Sequence, residues 1–518
     1  MLHGFRWIGL LPFLIFTSLA WSKDQVIHMG QLSDPHTLNP FQVQTSDSAF
    51  ISNNIFESLV VVDADGNIIP GQAESWRLEN NGQRLVFTLR KGLKWSDGTP
   101  LVAEDFVAGL RYMADPSNAF MMASKLKMMR LVNADAVLKG EKPPSALGVS
   151  APDAQTVVME LESPVNFALS LLSTTAFPLP RQVVSKFSET WSRPEHIVVN
   201  GAYLPEKWVI NEKLELVRND HYWAADQVGI YRAVLYPLAP DTELKHYEAG
   251  QLDMTRSVVS NRSQWLKKKF AGELRIQPMP GTYFYLFNLD NPDLKESSLR
   301  QSLAFAIDRT LITDRLLGLG QQPSRWFAPA ESVNQPGVES PLDAGRKALL
   351  KEGRAAGQLP DKLEILYNTM DSHRQIALAV ADMWKRNIGL NVGLRNMEWN
   401  ALSDELNKKQ FAIARMGWAM GDPDPCFLYI MFTSGSPMNQ TGYKSAEYDR
   451  AFNHACYQTN PQLRQQSILK LEELLARDMP AIPLYNYTDV RLVKPYVKGF
   501  PESGQYPYFR IQDLWLEK

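Results

Sequence analysis

The side chains able to do chemistry are scattered along this 518-residue chain and form no familiar catalytic motif. The sequence has no His-Glu-x-x-His pair, Gly-x-Ser-x-Gly turn, Gly-x-x-x-x-Gly-Lys loop or Gly-x-Gly-x-x-Gly turn. Asp422 and Asp424 have the alternating spacing of a calcium loop, but the neighbouring prolines and the missing downstream ligands argue against calcium. The sequence therefore predicts no catalytic site, metal or cofactor, although catalytic groups can also come from distant segments.

The two cysteines, Cys426 and Cys456, allow two interpretations. In an oxidising compartment two thiols tend to pair, which predicts a disulfide. The alternative is a pair of buried free thiols that pack as small apolar residues. No histidine spacing accompanies them, so a structural zinc site is excluded.

Aromatic residues are abundant, with 13 Trp, 18 Tyr and 23 Phe, and several occur in polar contexts. Trp399, Trp418 and Tyr485 stand beside predicted turns or strand ends. At such places an amphipathic ring can face a cleft and present its polar edge to a ligand. Core packing is the alternative interpretation of each ring.

The overall charge argues against a nucleic-acid partner. The formal net charge is -2 and the sequence pI is about 6.5. Nucleic-acid binding needs a clustered basic excess, and the only tight basic run is 267–269, which is typical of a solvated helix end.

The first residues predict a secretory signal peptide at 1–22. Arg6 supplies the positive charge, an apolar stretch follows over 7–19, and the small residues Ala20 and Ser22 each allow cleavage. The stretch of about 13 apolar residues, broken by Pro12, is too short to span a membrane. We therefore expect a mature protein secreted to the periplasm.

Strand and helix patterns alternate along the rest of the chain and predict a mixed α/β fold. Apolar residues at helical spacing occur over 48–62, and a helix is expected to open near residue 103. Further helices are predicted at 374–388 and 462–477. Strands are predicted at 25–32, 85–90, 156–161, 213–217, 233–238, 283–288 and 363–367.

Several motifs resemble the signature of bacterial extracellular solute-binding proteins for peptides. They are GQAESW at 71–76, RKGLKWSDGTP at 90–100, DF at 105–106, NGAY at 200–203, GW at 417–418 and RLVKP at 491–495. The similarity covers essentially the whole mature chain and is greatest to the periplasmic oligopeptide-binding and murein-peptide-binding proteins.

The resemblance implies a two-lobed protein with a hinged ligand cleft and an additional inserted domain. Lobe I is expected at 23–56, 183–280 and 487–518, the inserted domain at 57–182, and lobe II at 281–486. It also implies a monomer that delivers its ligand to the inner-membrane permease subunits of an ATP-binding-cassette importer.

The resemblance implies that a peptide adds as a strand to an edge of each lobe. The edges expected here are Gln44, Thr45 and Ser46 in lobe I and Trp418, Ala419 and Met420 in lobe II. It further implies side-chain pockets lined by Tyr283, Tyr285, Asn368, Trp399 and Tyr485. Arg415 and His373 are expected within reach of a ligand carboxylate, and a structural role for both is the alternative.

Two departures from the family bear on the ligand. The aspartate that anchors a peptide amino terminus is replaced by Gly421, and Asp422 follows it either as a displaced anchor or as a turn residue. Arg256 stands where oligopeptide binders often have a small amide, so it either favours an anionic ligand or lies on the surface.

Three functional hypotheses follow from the sequence. The first is an importer receptor that binds short peptides or peptide-derived compounds. The second is a binding protein for a non-peptide solute, such as a glycan fragment, an amphiphile or a metal complex, on the same scaffold. The third is a hydrolase, which only the generic presence of Asp, Arg and His supports.

Overall fold

The computed structural model describes residues 25–43, 45–259, 262–328, 360, 362–419, 424–501 and 509–518. The predicted signal peptide and four residues discussed above, namely Gln44, Met420, Gly421 and Asp422, lie outside these ranges. No helix among the described residues is both long and apolar enough to cross a membrane.

Lobe I contains a four-stranded sheet that holds the beginning of the described chain. The strand Val26–Gln31 pairs in parallel with Arg232–Pro237, although more than 200 residues separate them in sequence. On its other side, Arg232–Pro237 pairs in antiparallel fashion with Lys213–Arg218. That strand in turn pairs in antiparallel fashion with Tyr203–Val209 at the edge of the sheet. This sheet therefore joins segments that are far apart in the sequence.

Lobe II is built on a six-stranded mixed sheet. Its longest strands are the antiparallel pair Leu274–Phe287 and Ala481–Leu492. The sheet's strands, in spatial order, are Gln322–Pro323, Ala481–Leu492, Leu274–Phe287, Ile413–Ala419, Leu363–Asn368 and Val392–Met397.

The strands Leu274–Phe287 and Ala481–Leu492 each cross a lobe boundary expected from the sequence, at 280–281 and at 486–487. Pro278 pairs with Thr488, but the next paired residues are Thr282 and Asn486, so the ladder is interrupted over 279–281. Lost ladder bonds at such an irregularity let paired strands bend locally. The interruption is therefore a suitable place for the lobes to hinge.

The inserted domain has its own antiparallel sheet, in the order Ala73–Glu79, Arg84–Leu89, Thr156–Glu160 and Val149–Ser150. The helix Ala103–Ala114 covers it, and Asp105 accepts hydrogen bonds from the backbone of Val102 and the indole of Trp95.

Two further strand pairs are Val60–Val62 with Ile68–Pro70 and Val497–Lys498 with Trp515–Leu516.

The other described helices surround these sheets. They are Ser46–Ile55, Ser124–Met128, Ala134–Leu138, Ala168–Ser173, Arg181–Phe187, Pro240–Glu248, Ser263–Lys269, Ser297–Phe305, the π-helix Leu311–Leu317, Asp371–Ile388, Trp399–Asn407, Cys426–Tyr429, Ala446–Tyr457 and Pro461–Asp478.

The elements agree with the predicted α/β class, with informative differences in their bounds. The helical spacing predicted over 48–62 forms a helix only at Ser46–Ile55, and the strand Val60–Val62 follows it. The strand predicted at 283–288 begins much earlier, at Leu274. The prolines at 278 and 280 lie in this additional stretch, and the strand continues through them with an interrupted ladder.

Candidate ligand-binding site

A cavity of about 920 Å³ lies where lobe I, the inserted domain and lobe II meet. Its volume is at the upper end of the range for small-molecule sites. Four sequence-predicted residues line it, namely Thr45 and Ser46 from lobe I and Trp399 and Trp418 from lobe II. The structure therefore brings the two expected backbone edges to one enclosed space.

The lobe I wall is the amino-terminal end of the helix Ser46–Ile55. Thr45 is extended and caps this helix, because its hydroxyl accepts a 3.2 Å hydrogen bond from the Ser48 amide. Ser46 already belongs to the helix, and its hydroxyl accepts a hydrogen bond from Arg256. The described part of this edge thus offers one extended residue followed by a helix terminus.

The lobe II wall is the strand Ile413–Ala419. One side of this strand pairs along its whole length, from Ile413 opposite Phe287 to Ala419 opposite Gly281. On the other side only Ile413 and Ala414 pair, with the strand Leu363–Asn368. Among the described residues, the backbone from 415 to 419 has no strand partner on that side, which is the geometry that strand addition requires.

A group of polar residues, here called the tyrosine–arginine cluster, lies directly behind this wall. A Cβ added to Gly417, which lines the cavity, would lie 2.0 Å from the Tyr487 hydroxyl and 3.0 Å from Nη2 of Arg415. Only a glycine permits this approach of the cluster to the cavity. The cluster comprises Arg415, His373, Asn368, Tyr283, Tyr285, Tyr485 and Tyr487.

Strand register assembles the cluster. Tyr285 stands opposite Arg415, and Tyr283 stands opposite both Gly417 and Tyr485, so these side chains share one face of the sheet. The Tyr283 and Tyr485 rings stack at 4.8 Å, and the Arg415 guanidinium lies 4.8 Å from the centre of the Tyr283 ring. The expected pocket tyrosines are therefore buried behind the cavity and do not line it directly.

Arg415 is buried, and no carboxylate pairs with it among the described residues. It donates to Oδ1 of Asn368 at 3.1 Å and to the Tyr487 hydroxyl at 2.8 Å, both neutral acceptors. Burying a cation without a counter-charge is costly, because water no longer solvates it. Such a residue is suited to receive an anionic group.

Several polar atoms of the predicted site are buried without a hydrogen-bond partner of good geometry in the described structure. They are the hydroxyls of Tyr283 and Tyr285, Nδ1 of His373, Nε of Arg415 and Nε1 of Trp418. Buried polar atoms are nearly always paired, so each such atom needs an explanation. Burial, reinforced by the charge of Arg415, lowers the pKa of His373 well below its ordinary value and keeps the imidazole neutral.

Arg256 corrects both expectations made for it. Its Nε donates to Asp47 at 2.9 Å, and its Nη1 lies 3.4 Å from Asp489. Both aspartates are almost fully buried. Arg256 is thus a half-buried ion-pair partner behind the lobe I wall, neither a surface residue nor a free cation for an anionic ligand.

The cavity wall near Phe427 is covalently anchored. The structure joins Cys426 and Cys456 by a disulfide, which links the helix Cys426–Tyr429 to the helix Ala446–Tyr457. Arg464 adds a half-buried ion pair with Asp424, with N to O distances of 2.6 and 2.8 Å. These bonds position Phe427, whose ring packs against Trp418 at 5.2 Å in the cavity wall.

Sequence reasoning missed most of the apolar lining. Six phenylalanines and five methionines line the cavity, at positions 50, 56, 120, 177, 427 and 509 and at positions 121, 122, 416, 431 and 438. It also missed Glu57, whose carboxylate accepts hydrogen bonds from Tyr222, Trp223 and Gln72. Burial raises the pKa of Glu57. Apolar residues carry no sequence signal that separates a lining role from a core role.

No group of three or more metal-ligating side chains occurs in the part of the chain that the structure describes. A two-lobed α/β protein with an enclosed cleft between facing backbone edges has the architecture of a periplasmic solute-binding protein. The sequence matches the family described as "Bacterial extracellular solute-binding proteins, family 5 Middle" over residues 67–440. The chain belongs to this family, and it is a periplasmic binding protein.

Three relatives illustrate the similarity. The chain is 34% identical over 508 residues to the probable deoxycholate-binding periplasmic protein YgiS of Escherichia coli, covering 96% of this chain and 94% of YgiS. Its structure resembles Haemophilus influenzae OppA in complex with the peptide RPPGFSPFR, with a TM-score of 0.87, 34% identity, and coverage of 96% and 100%. It also resembles the murein tripeptide-binding protein MppA of Escherichia coli, with a TM-score of 0.89, 31% identity, and coverage of 96% and 100%.

The relative placement of the lobes can be judged from MppA, because two structures of it are available for comparison. The TM-score falls from 0.89 to 0.74 against the unliganded open form, although the identity is 31% in both cases. The structure described here is therefore less similar to that open form than to the other MppA structure.

Proposed function

We propose that this protein is the receptor of an ATP-binding-cassette importer and binds short peptides or peptide-derived compounds by strand addition in the cleft. The observation that carries the proposal is the strand edge at 415–419, which pairs with no other described strand and whose residues 416–418 line the same cavity as Thr45 and Ser46. Main-chain hydrogen bonds give affinity without reading side chains, so a receptor of this kind tolerates many sequences. Delivery to the permease subunits follows from family membership.

Arg415 is proposed to receive the ligand carboxylate, with His373 beside it as a neutral hydrogen-bonding partner. Its buried charge and its unpaired Nε support this role. The tyrosine hydroxyls supply further donors near the same place. A ligand carboxylate would thus supply a counter-charge that the described residues around Arg415 do not supply.

The lobe boundaries inferred from the family remain part of this proposal. Lobe I would comprise 23–56, 183–280 and 487–518, and lobe II would comprise 281–486. The interrupted ladder over 279–281 lies beside two of these boundaries and supports a hinge there. Closure over a ligand would bend the central strand pair at that point.

Calorimetric titration with tri-, tetra- and penta-alanine tests the proposal. Matched peptides with N-methylated backbone amides are the control, because methylation removes donors and leaves the side chains unchanged. We expect binding of at least one unmodified length and a clear loss of affinity on methylation. Absence of heat and of any thermal shift with all peptides would refute peptide binding.

A second candidate, a receptor for an amphiphile, is favoured by one observation, the apolar lining of the cavity by phenylalanine and methionine. Native mass spectrometry of gently purified protein distinguishes the two candidates by the mass of the co-purified ligand. We also propose that the ligand leaves chemically unchanged. Recovery of intact peptides after incubation with a high concentration of the protein tests this.

A further inference from the structure

We propose that the inserted domain and lobe II together form an apolar subsite that receives a large apolar group of the bound ligand. The inference rests on the proposed function, because it concerns the same cavity and specifies the ligand class. It assigns the inserted domain a direct part in ligand selection. The argument starts from the two walls that face each other across the cavity.

The inserted domain contributes the segment between its helices Ala103–Ala114 and Ser124–Met128. Phe120 fixes this segment, because its buried ring packs against Tyr112 at 5.3 Å and Phe41 at 6.3 Å. The next two residues, Met121 and Met122, also line the cavity. Met121 is 54% exposed, which leaves its side chain available for contact with a ligand.

Lobe II contributes one face of the helix Trp399–Asn407. Trp399, Ser403 and Asn407 are spaced by four residues, so they lie on the same side of the helix, and all three line the cavity. Trp399 is 36% exposed, which leaves its ring available for contact. Met416 and Met438 extend this wall.

Methionine is the distinctive residue of the subsite. Five of the 18 methionines of the chain line the cavity, two from the inserted domain and three from lobe II. The unbranched, polarisable methionine side chain adapts to partners of different shape. The subsite is therefore suited to apolar groups of varied shape, not to one particular side chain.

Direct contacts between the inserted domain and lobe II hold the two walls together. The Arg130 guanidinium lies 3.5 Å from the centre of the Tyr457 ring, and the Tyr457 hydroxyl donates to the Met128 carbonyl at 3.2 Å. Asn166 donates to the Gln458 carbonyl at 2.8 Å. These contacts, here called the latch, join the inserted domain to lobe II.

The subsite is continuous with the proposed strand-addition edges. Thr45, Trp418 and Met121 line the same cavity. A ligand held by its main chain at 415–419 can therefore place an apolar group against the methionines without leaving the enclosed space. Burial of that group would add affinity in proportion to its apolar area.

Calorimetry with tri-alanine and with the three tripeptides that each carry one phenylalanine tests the inference. We expect at least one phenylalanine peptide to bind about tenfold or more tightly than tri-alanine. The double variant Met121→Ser and Met122→Ser should reduce that gain about tenfold, measured within each protein as the ratio of phenylalanine-peptide affinity to tri-alanine affinity. Met438→Ser, on the facing wall, should act in the same direction. The matched control is Leu78→Ser, which removes an apolar side chain of the same domain that is 60% exposed and outside the cavity.

Sodium deoxycholate serves as a second probe that separates the two levels of the proposal. In one outcome no peptide binds, whereas deoxycholate binds and the double variant lowers its affinity. Peptide recognition is then refuted, and the apolar subsite is supported. If peptides bind with no gain from phenylalanine, or the double variant weakens tri-alanine and phenylalanine peptides in parallel, the subsite is refuted while the receptor function stands. If none of the probes binds, both are refuted.

Discussion

Replacement of Arg415 by methionine should separate ligand binding from stability. The variant removes a buried cation that has two neutral hydrogen-bond partners and no carboxylate partner among the described residues. Methionine fills similar space without a charge to desolvate. We therefore expect the free energy of unfolding of the empty protein to change by no more than about 1 kcal/mol.

The effect on binding should be large and specific to the ligand carboxylate. Loss of one partner of a buried, hydrogen-bonded charge pair costs about 2–5 kcal/mol, which is roughly a 30- to 5,000-fold loss of affinity. Peptides with a free carboxyl terminus should lose this affinity, whereas their carboxamide analogues should lose little. Titration calorimetry of both peptide forms against both proteins, arranged as a double-mutant cycle, measures the coupling.

Arg300 provides the matched control. It is also a buried lobe II arginine, but it donates to the backbone carbonyls of Leu294, Lys295, Asp478 and Met479. Arg300→Met should therefore destabilise the protein by about 3 kcal/mol or more, because buried carbonyls lose their donors. It should not discriminate between acid and amide peptides. If Arg415→Met behaves like Arg300→Met in both measurements, its role is structural and our reasoning is wrong.

Three further predictions concern stability. Replacement of Cys426 and Cys456 by serine opens a loop of about 30 residues and should lower the stability of lobe II by about 3–4 kcal/mol, seen as a lower melting temperature; an unchanged melting temperature would contradict it. Arg256→Met leaves Asp47 without its ion-pair partner and should lower the free energy of unfolding by about 3–5 kcal/mol. A second substitution, Asp47→Asn, should restore much of the lost stability, as measured by thermal melts. Burial raises the pKa of Glu472 from 4.5 to about 7, so between these pH values the folded protein binds a proton that the unfolded chain does not. The free energy of unfolding therefore falls as the pH rises through that window. In the Glu472→Gln variant the stability should therefore change by about 3 kcal/mol less across this window. If the melting temperatures of both proteins change with pH in the same way, this prediction is wrong.

The sequence predicted elements best where periodicity was regular. The helix Asp371–Ile388 begins only three residues before its predicted start, and the strand Leu363–Asn368 extends one residue beyond its predicted end. The strand Leu274–Phe287 was less predictable, because its pairing survives two prolines through tertiary contacts with Ala481–Leu492. Local patterns do not contain such long-range support.

The site shows the same limit. The family resemblance identified Trp399 and Trp418, which line the cavity, because their motifs are local. It did not predict that Tyr283 would lie behind the wall, since this depends on register with Gly417 across the sheet. Met121 gave no signal, because a methionine beside a helix usually belongs to a core.

The latch has a kinetic consequence. Arg130 and Tyr457 join the inserted domain to lobe II, so an opening that separates these two parts of the protein must break their contact. Weakening the latch would raise the population of the open state, and apparent affinity falls with the fraction of closed protein even when every ligand contact is kept. Residence time would shorten for all ligands alike. The pair would thus set how long cargo is held before a transporter opens the receptor, independently of what that cargo is.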